Sequence, residues 1–176
     1  VIAYPLMAAL NAHSIVSCYL STRSEHIIHI ASGYEGIRII KRQNEFENVL
    51  EEFNRSTREA IRDLGFFPRH TALMFGNSPC IRCETINNAA FILDKNRHLD
   101  SVVTAERRPE FSPEHAFRLT EAGTLEAAKF SGAKDYCYFP NARLIMLRTE
   151  VLFRLERPFE SFNVMYGTNI HPILQE

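Results

Sequence analysis

Between residues 37 and 105 the hydrophobic pattern changes period four times, and this alternation constrains the fold more than any other feature of the chain. Ile37 to Lys41 is β-branched and short, as a strand should be. Residues 45–64 then place Phe46, Val49, Leu50, Phe53, Ala60, Ile61 and Leu64 on one stripe at helical spacing, with Gly65 as the stop. After Pro68 the run Thr71-Ala72-Leu73-Met74-Phe75 is apolar beyond its first residue, which predicts a strand covered on both faces. A helix over 84–96 and a strand over 100–105, carrying Val102 and Val103, complete the series. Strand, helix, strand, helix, strand at these spacings predicts an α/β fold with a parallel sheet and right-handed crossovers.

The flanks extend the reading. Residues 3–13 have helical periodicity, 17–21 read as a short strand, and Ser24 is placed to cap a helix carrying Ile27, Ile28 and Ile30 that stops at Gly33. From Phe111 the pattern becomes antiparallel. Residues 116–120 and 124–128 flank Glu121-Ala122-Gly123, a hairpin with Gly at its turn. An aromatic strand over 136–139, a break at Pro140-Asn141 and a second strand over 144–147 follow, then a short helix capped by Thr149 and a closing strand over 170–174. An antiparallel excursion of this kind, 111–148, is marginal by itself and is expected to pair with a second subunit.

A length of 176 residues fits a single domain, 1–176. Twenty Lys and Arg balance twenty-one Asp and Glu, so no overall field draws the molecule to nucleic acid or an anionic membrane. No apolar run approaches the ~18 residues of a membrane span and no secretory leader is visible, so the expected compartment is the cytoplasm. The chain opens at Val1 with Ile2, Ala3, Leu6, Met7, Ala9 and Leu10 already at helical spacing, which reads as a domain that has lost something before it. Cys80-x-x-Cys83 has no second pair at zinc-binding spacing, so Cys18, Cys80, Cys83 and Cys137 read as reduced thiols.

In open parallel sheets ligands bind beyond the carboxyl ends of the strands. That rule selects Ser21-Thr22-Arg23, Lys41-Arg42-Gln43, Gly76-Asn77-Ser78-Pro79 and Glu106-Arg107-Arg108. Sixteen of the twenty basic residues are Arg, whose guanidinium binds phosphate or carboxylate in two parallel bonds. Arg55, Arg58 and Arg62 on the long helix are explained by pairing with Glu51 or Glu59; Arg42 and Arg82 flank strand ends and are open either to ligand contact or to loop anchoring. Neither a Gly-x-Ser-x-Gly elbow nor a Gly-rich phosphate loop occurs.

Read in order, these segments resemble the N-acylneuraminate cytidylyltransferases, the CMP-sialic acid synthetases. Val1-Ile2-Ala3-Tyr4-Pro5-Leu6, Tyr19-Leu20-Ser21-Thr22 and Ile39-Ile40-Lys41-Arg42 are similar to the family's first half. Phe75-Gly76-Asn77-Ser78-Pro79-Cys80-Ile81, through Glu84-Thr85-Ile86 to Leu99-Asp100-Ser101-Val102-Val103-Thr104, is similar to its central segment, and Tyr138-Phe139-Pro140-Asn141 to its Pro-Asn-Gly element. The resemblance implies a three-layer Rossmann-like nucleotidyltransferase with a mainly parallel sheet, a homodimer formed through the excursion, and transfer of CMP from CTP to an acidic nine-carbon sugar with release of pyrophosphate. It also implies Mg2+, and assigns Ser21, Thr22, Arg42 and Asn77 to the nucleotide and Asn77, Ser78, His115 and Asn141 to the sugar. The chain departs from the family at Arg23 (usually Asp), Phe75 (usually polar), Phe139 (often Arg) and Ala142 (usually Gly). A leading strand with its phosphate loop and a trailing Asp-x-Asp metal segment are expected but not found. The alternatives are a catalytically degenerate binding or structural subunit, and an enzyme acting on a pseudaminic or legionaminic type of sugar.

Overall fold

The computed structural model describes residues 1–42, 49–107, 117–127, 138–154 and 166–175, including all their side chains except those of 49–52 and 154. In chain order the elements are α1 (Ala3–Leu10), β1 (Cys18–Thr22), α2 (Glu25–Ala31), β2 (Ile37–Lys41), α3 (Val49–Leu64), β3 (His70–Leu73), α4 (Cys83–Lys95), β4 (Ser101–Arg107), β5 (Phe117–Leu119), β6 (Leu125–Ala127), β7 (Tyr138–Arg148), α5 (Thr149–Arg154) and β8 (Ile170–Leu174). Local chemistry sets several of the bounds. Ser24 Oγ accepts the Ile27 amide at 3.4 Å and opens α2 as an N-cap, and Gly65, at φ 76°, stops α3 in a conformation that a side chain disfavours.

Strands β1 and β2 form a parallel pair, from Cys18 opposite Ile37 to Thr22 opposite Lys41. The other six strands form a sheet in the order β3-β7-β4-β8-β6-β5, and Phe117 of β5 pairs back onto Tyr138 of β7, closing the sheet into a ring. Within it only β4 and β8 run parallel; the remaining pairings are antiparallel. The expected mainly parallel sheet is therefore corrected. The cause is β7, which inserts antiparallel between β3 and β4. The hairpin expected around Gly123 is present, with Gly123 at φ 75° and the Thr120 amide donating to the Thr124 carbonyl at 2.8 Å. It folds onto β7 and β8 of its own chain.

The expected break at Pro140-Asn141 is absent as a break: β7 is one continuous strand. The irregularity survives as a register shift between Val103 and Ala105 on β4, opposite Ala142 at φ 55°. Residues 144–147 of β7 are buried on both faces and alternate between two cores. Ile145 and Leu147 face the interior of the ring with Val103, Leu125 and Ile170. Leu144 and Met146 pack under α4 and α1, on Ile86, Ala89, Leu93 and Ala12. Each such fully covered side chain contributes ~1.5–3 kcal/mol relative to exposure. Arg148 ends β7 by donating to the carbonyls of Leu93 (2.7 Å), Asn96 (3.1 Å) and Leu99 (2.8 Å), which satisfies the free C-terminal end of α4. Among the described residues no helix is long and apolar enough to cross a membrane.

Candidate functional site

Helix α3 fixes the relative direction of β1 and β3. Its first half meets the ends of both strands: Phe53 stacks edge-on against Phe75 with centroids 5.1 Å apart, and Ser56 Oγ lies 2.7 Å from Ser21 Oγ. Near its last turn, Asp63 accepts hydrogen bonds from the Tyr19 hydroxyl (2.8 Å) and Arg38 (2.9 Å). Strands β1, β2 and β3 therefore finish at one rim. There the Arg42 amide donates to the Thr22 carbonyl at 3.0 Å and the half-buried Arg42 side chain lines the cleft between β1 and β3. Thr22 is buried and its hydroxyl accepts the Ser24 amide at 3.2 Å, so this oxygen serves the turn into α2. Beyond β3 the Ser78 amide donates to the Phe75 carbonyl at 3.1 Å, a turn that leaves Asn77 exposed and Ser78 buried.

The cleft below this rim has a volume of about 540 Å3. Its walls are β1 and β3, with α3, Ile2 just before α1 and Ala9 in the last turn of α1 closing it. Burial pushes the Cys18 thiol up to about 11, which keeps it protonated. At the far end His70 is held below the usual histidine range, chiefly by burial and further by Arg148 and Arg69, with Asp94 opposing. Its Nε2 makes no hydrogen bond and lies 3.8 Å from Asp94.

A second polar cluster sits where β4 and β8 end. Thr104 Oγ1 donates to Asn141 Oδ1 (2.6 Å) or the Leu144 carbonyl (3.2 Å) and accepts the Leu144 amide (3.0 Å). Asn141 Nδ2 donates to Glu106 (3.0 Å) and Gln175 (3.1 Å), and Arg143 reaches the same two acceptors at 2.6 Å and 2.9 Å. The network replaces the ladder bonds lost at the register shift.

Of the residues expected at the site, Ser21, Thr22 and Arg42 come together on the rim, and Asn77 and Ser78 occupy the loop leaving β3. Asn141 belongs to the second cluster with both ends of its amide engaged. His115, Gln43 and Arg108 lie outside the described residues. Ser56 and Phe53 are additions; with Thr57, Ala60, Ile61 and Leu64 they follow helical spacing, so two hydroxyls on an otherwise apolar stripe were the available signal. Arg58 donates to Asn54 at 2.6 Å and covers the Phe153 ring at 4.4 Å; the Glu51 side chain, one of the two expected helix partners, lies outside the described residues. Among the described residues no group of three or more His, Cys, Asp or Glu could hold a metal, and Glu106 faces Arg143.

Comparison with protein-family models and with curated proteins finds no match. Solved structures do match in fold. CMP:2-keto-3-deoxy-manno-octonic acid synthetase complexed with CTP superposes with a TM-score of 0.70 at 12% identity, over 99% of this chain and 77% of that one. The 4-diphosphocytidyl-2C-methyl-D-erythritol synthase of Anaerococcus prevotii has a TM-score of 0.61 at 12% identity, over 99% and 76%. HddC from Yersinia pseudotuberculosis complexed with GMP-PN has a TM-score of 0.62 at 11% identity, over 98% and 75%. The chain thus has the mixed α/β fold shared by these three proteins.

Proposed function

We propose that the protein is a cytidylyltransferase that moves CMP from CTP to an acidic nonulosonic sugar of the sialic acid type. The observation that carries this reading is the rim shared by β1, β2 and β3, with Ser21, Thr22, Arg42 and Asn77 at its edge, in a fold also found in a synthetase complexed with CTP. In the reaction a sugar hydroxyl oxygen bonds to the α-phosphorus of CTP. The bond from that phosphorus to the bridging oxygen breaks, pyrophosphate leaves with the electron pair, and the hydroxyl proton passes to solvent or a base. Arg42 supplies positive charge where the nucleotide is bound, and its half-buried position strengthens that interaction relative to a fully exposed side chain. Asn77 and Ser78, on the loop after β3, are assigned to orient nucleotide and sugar, and His115 to reach the sugar across a homodimer interface. Magnesium is the ion that such chemistry uses to offset triphosphate charge, and where it binds it would draw most of its ligands from the phosphates themselves.

A second reading has its own support. Asn141, assigned to the sugar, has its whole amide engaged by Thr104, Glu106 and Gln175. A nucleotide-binding subunit without transferase activity would need no free amide there. Isothermal titration with CTP and pyrophosphate release separate the two: binding with release supports the enzyme, and binding without release supports the subunit.

A further inference from the structure

Three phenylalanines face solvent at the end of the molecule opposite the rim, and we infer that they and the arginines around them form a docking surface for an anionic lipid bilayer. Phe66, Phe67 and Phe153 are 53%, 56% and 36% exposed. The first two form the turn between α3 and β3, and the third comes from α5. Three contacts hold these pieces together as one surface. The Phe67 and Phe153 rings lie 5.2 Å apart, the Thr149 amide donates to the Arg69 carbonyl at 2.9 Å, and the Thr71 and Thr149 hydroxyls meet at 2.9 Å. One exposed apolar side chain is ordinary; a group of large rings held together marks an interaction surface.

Charge around the rings selects the partner. Arg58 lays its guanidinium 4.4 Å from the centre of the Phe153 ring, exposed Arg62 follows one turn later on the same face of α3, and Arg69 leaves the turn with 85% of its side chain exposed. The carboxylates on this side are Asp94, 3.6 Å from Arg69, and Glu150, one turn before Phe153 on α5. Asp63 is turned away, accepting from Tyr19 and Arg38. Arginine is therefore in excess at the patch although the whole chain carries a net charge of -1, so the pull on an anionic surface is local. Shape favours a bilayer over an acidic protein. Nothing lies within 4 Å of where a Cβ on Gly65 would stand, so the turn projects from the body, and Gly65-Phe66-Phe67-Pro68 carries no charge. A projecting apolar tip meets a rigid partner over little area. A bilayer deforms around it, taking the rings ~5–10 Å in, to the acyl boundary, while the arginines stay among the headgroups.

The test is sedimentation of the protein with vesicles of phosphatidylcholine, alone or with about one third phosphatidylglycerol. About tenfold more protein is expected on the anionic vesicles at ~0.1 M salt, and the excess is lost at ~0.5 M. Replacing both rings of the turn, Phe66→Ser with Phe67→Ser, is expected to lower binding about fivefold or more, as is Arg62→Gln with Arg69→Gln. Circular dichroism checks that each variant folds. The chain has no tryptophan, so Phe66→Trp supplies a single reporter whose emission shifts to the blue and is quenched by brominated acyl chains when the turn enters the bilayer. This reporter decides alone if a double variant fails to fold. Equal binding to both kinds of vesicle, binding that survives the double serine change, or a reporter insensitive to brominated lipid overturns the inference. Protein that ignores vesicles and binds polyglutamate identifies an acidic polypeptide as the partner and also overturns it. The inference is independent of the nucleotide chemistry.

Discussion

The Thr104 hydroxyl sits buried at the register shift with hydrogen bonds on both sides, and Thr104→Val removes it with little change in side-chain shape. The residue is fully buried and its Oγ1 accepts the Leu144 amide while giving its proton to Asn141 or the Leu144 carbonyl. In the valine variant the Leu144 N–H stays buried without its partner, and Asn141 loses the bond that orients its amide toward Glu106 and Gln175. Leaving a buried donor unmade costs ~1–3 kcal/mol, and the loosened network adds to it, so destabilisation of about 2–3 kcal/mol is expected. For a chain of 176 residues that corresponds to a fall in Tm of roughly 5–10 °C. Thr104→Ser keeps the hydroxyl and loses one methyl group, a cost of about 1 kcal/mol. Denaturant melts of the two variants against the parent measure the contrast. A valine variant as stable as the serine variant would refute the argument that the hydroxyl, and not the packing, holds the register shift.

Other outcomes follow from the same geometry. Arg42→Ala is expected to weaken CTP binding about tenfold or more, the worth of one charge-assisted contact; unchanged affinity by titration calorimetry would remove Arg42 from the nucleotide site. Because burial holds the folded His70 below the ordinary histidine range, the unfolded chain takes up that proton at higher pH. Stability is then complete above pH ~6.5 and is lost as pH falls from there through the folded value. His70→Gln should flatten the decline of Tm between neutral and mildly acidic pH, and equal slopes would contradict the shift. With its thiol pushed up to about 11, Cys18 should be alkylated by iodoacetamide at pH 8 much more slowly than the exposed Cys80, as peptide mass spectrometry would show; equal rates would contradict its burial.

Much of this architecture was legible in the sequence because local signals carried it. Ser24 as an N-cap, Gly65 as a helix stop and Gly123 at a hairpin turn mark positions where backbone chemistry leaves few choices. Strand order was not legible. That β7 inserts antiparallel between β3 and β4 depends on contacts made over long sequence separations, and the uniformly apolar Leu144 to Leu147 looks alike in either orientation. For the same reason Pro140-Asn141 looks like a break in the sequence: its compensating bonds come from Thr104, Glu106 and Gln175, each more than thirty positions away. The strand-end rule puts Ser21, Thr22 and Arg42 on the one rim they share in the structure, while Ser56 joins them from a polar position on the apolar stripe of α3, which that rule does not cover.

The central claim is cytidylyl transfer, and pyrophosphate release from CTP with magnesium and a panel of nonulosonic acids tests it most directly. The account predicts release that requires both CTP and an acidic sugar, falls with Arg42→Ala, and is not supported by ATP or GTP. Absence of release with every sugar, while CTP still binds to the folded protein, would contradict it.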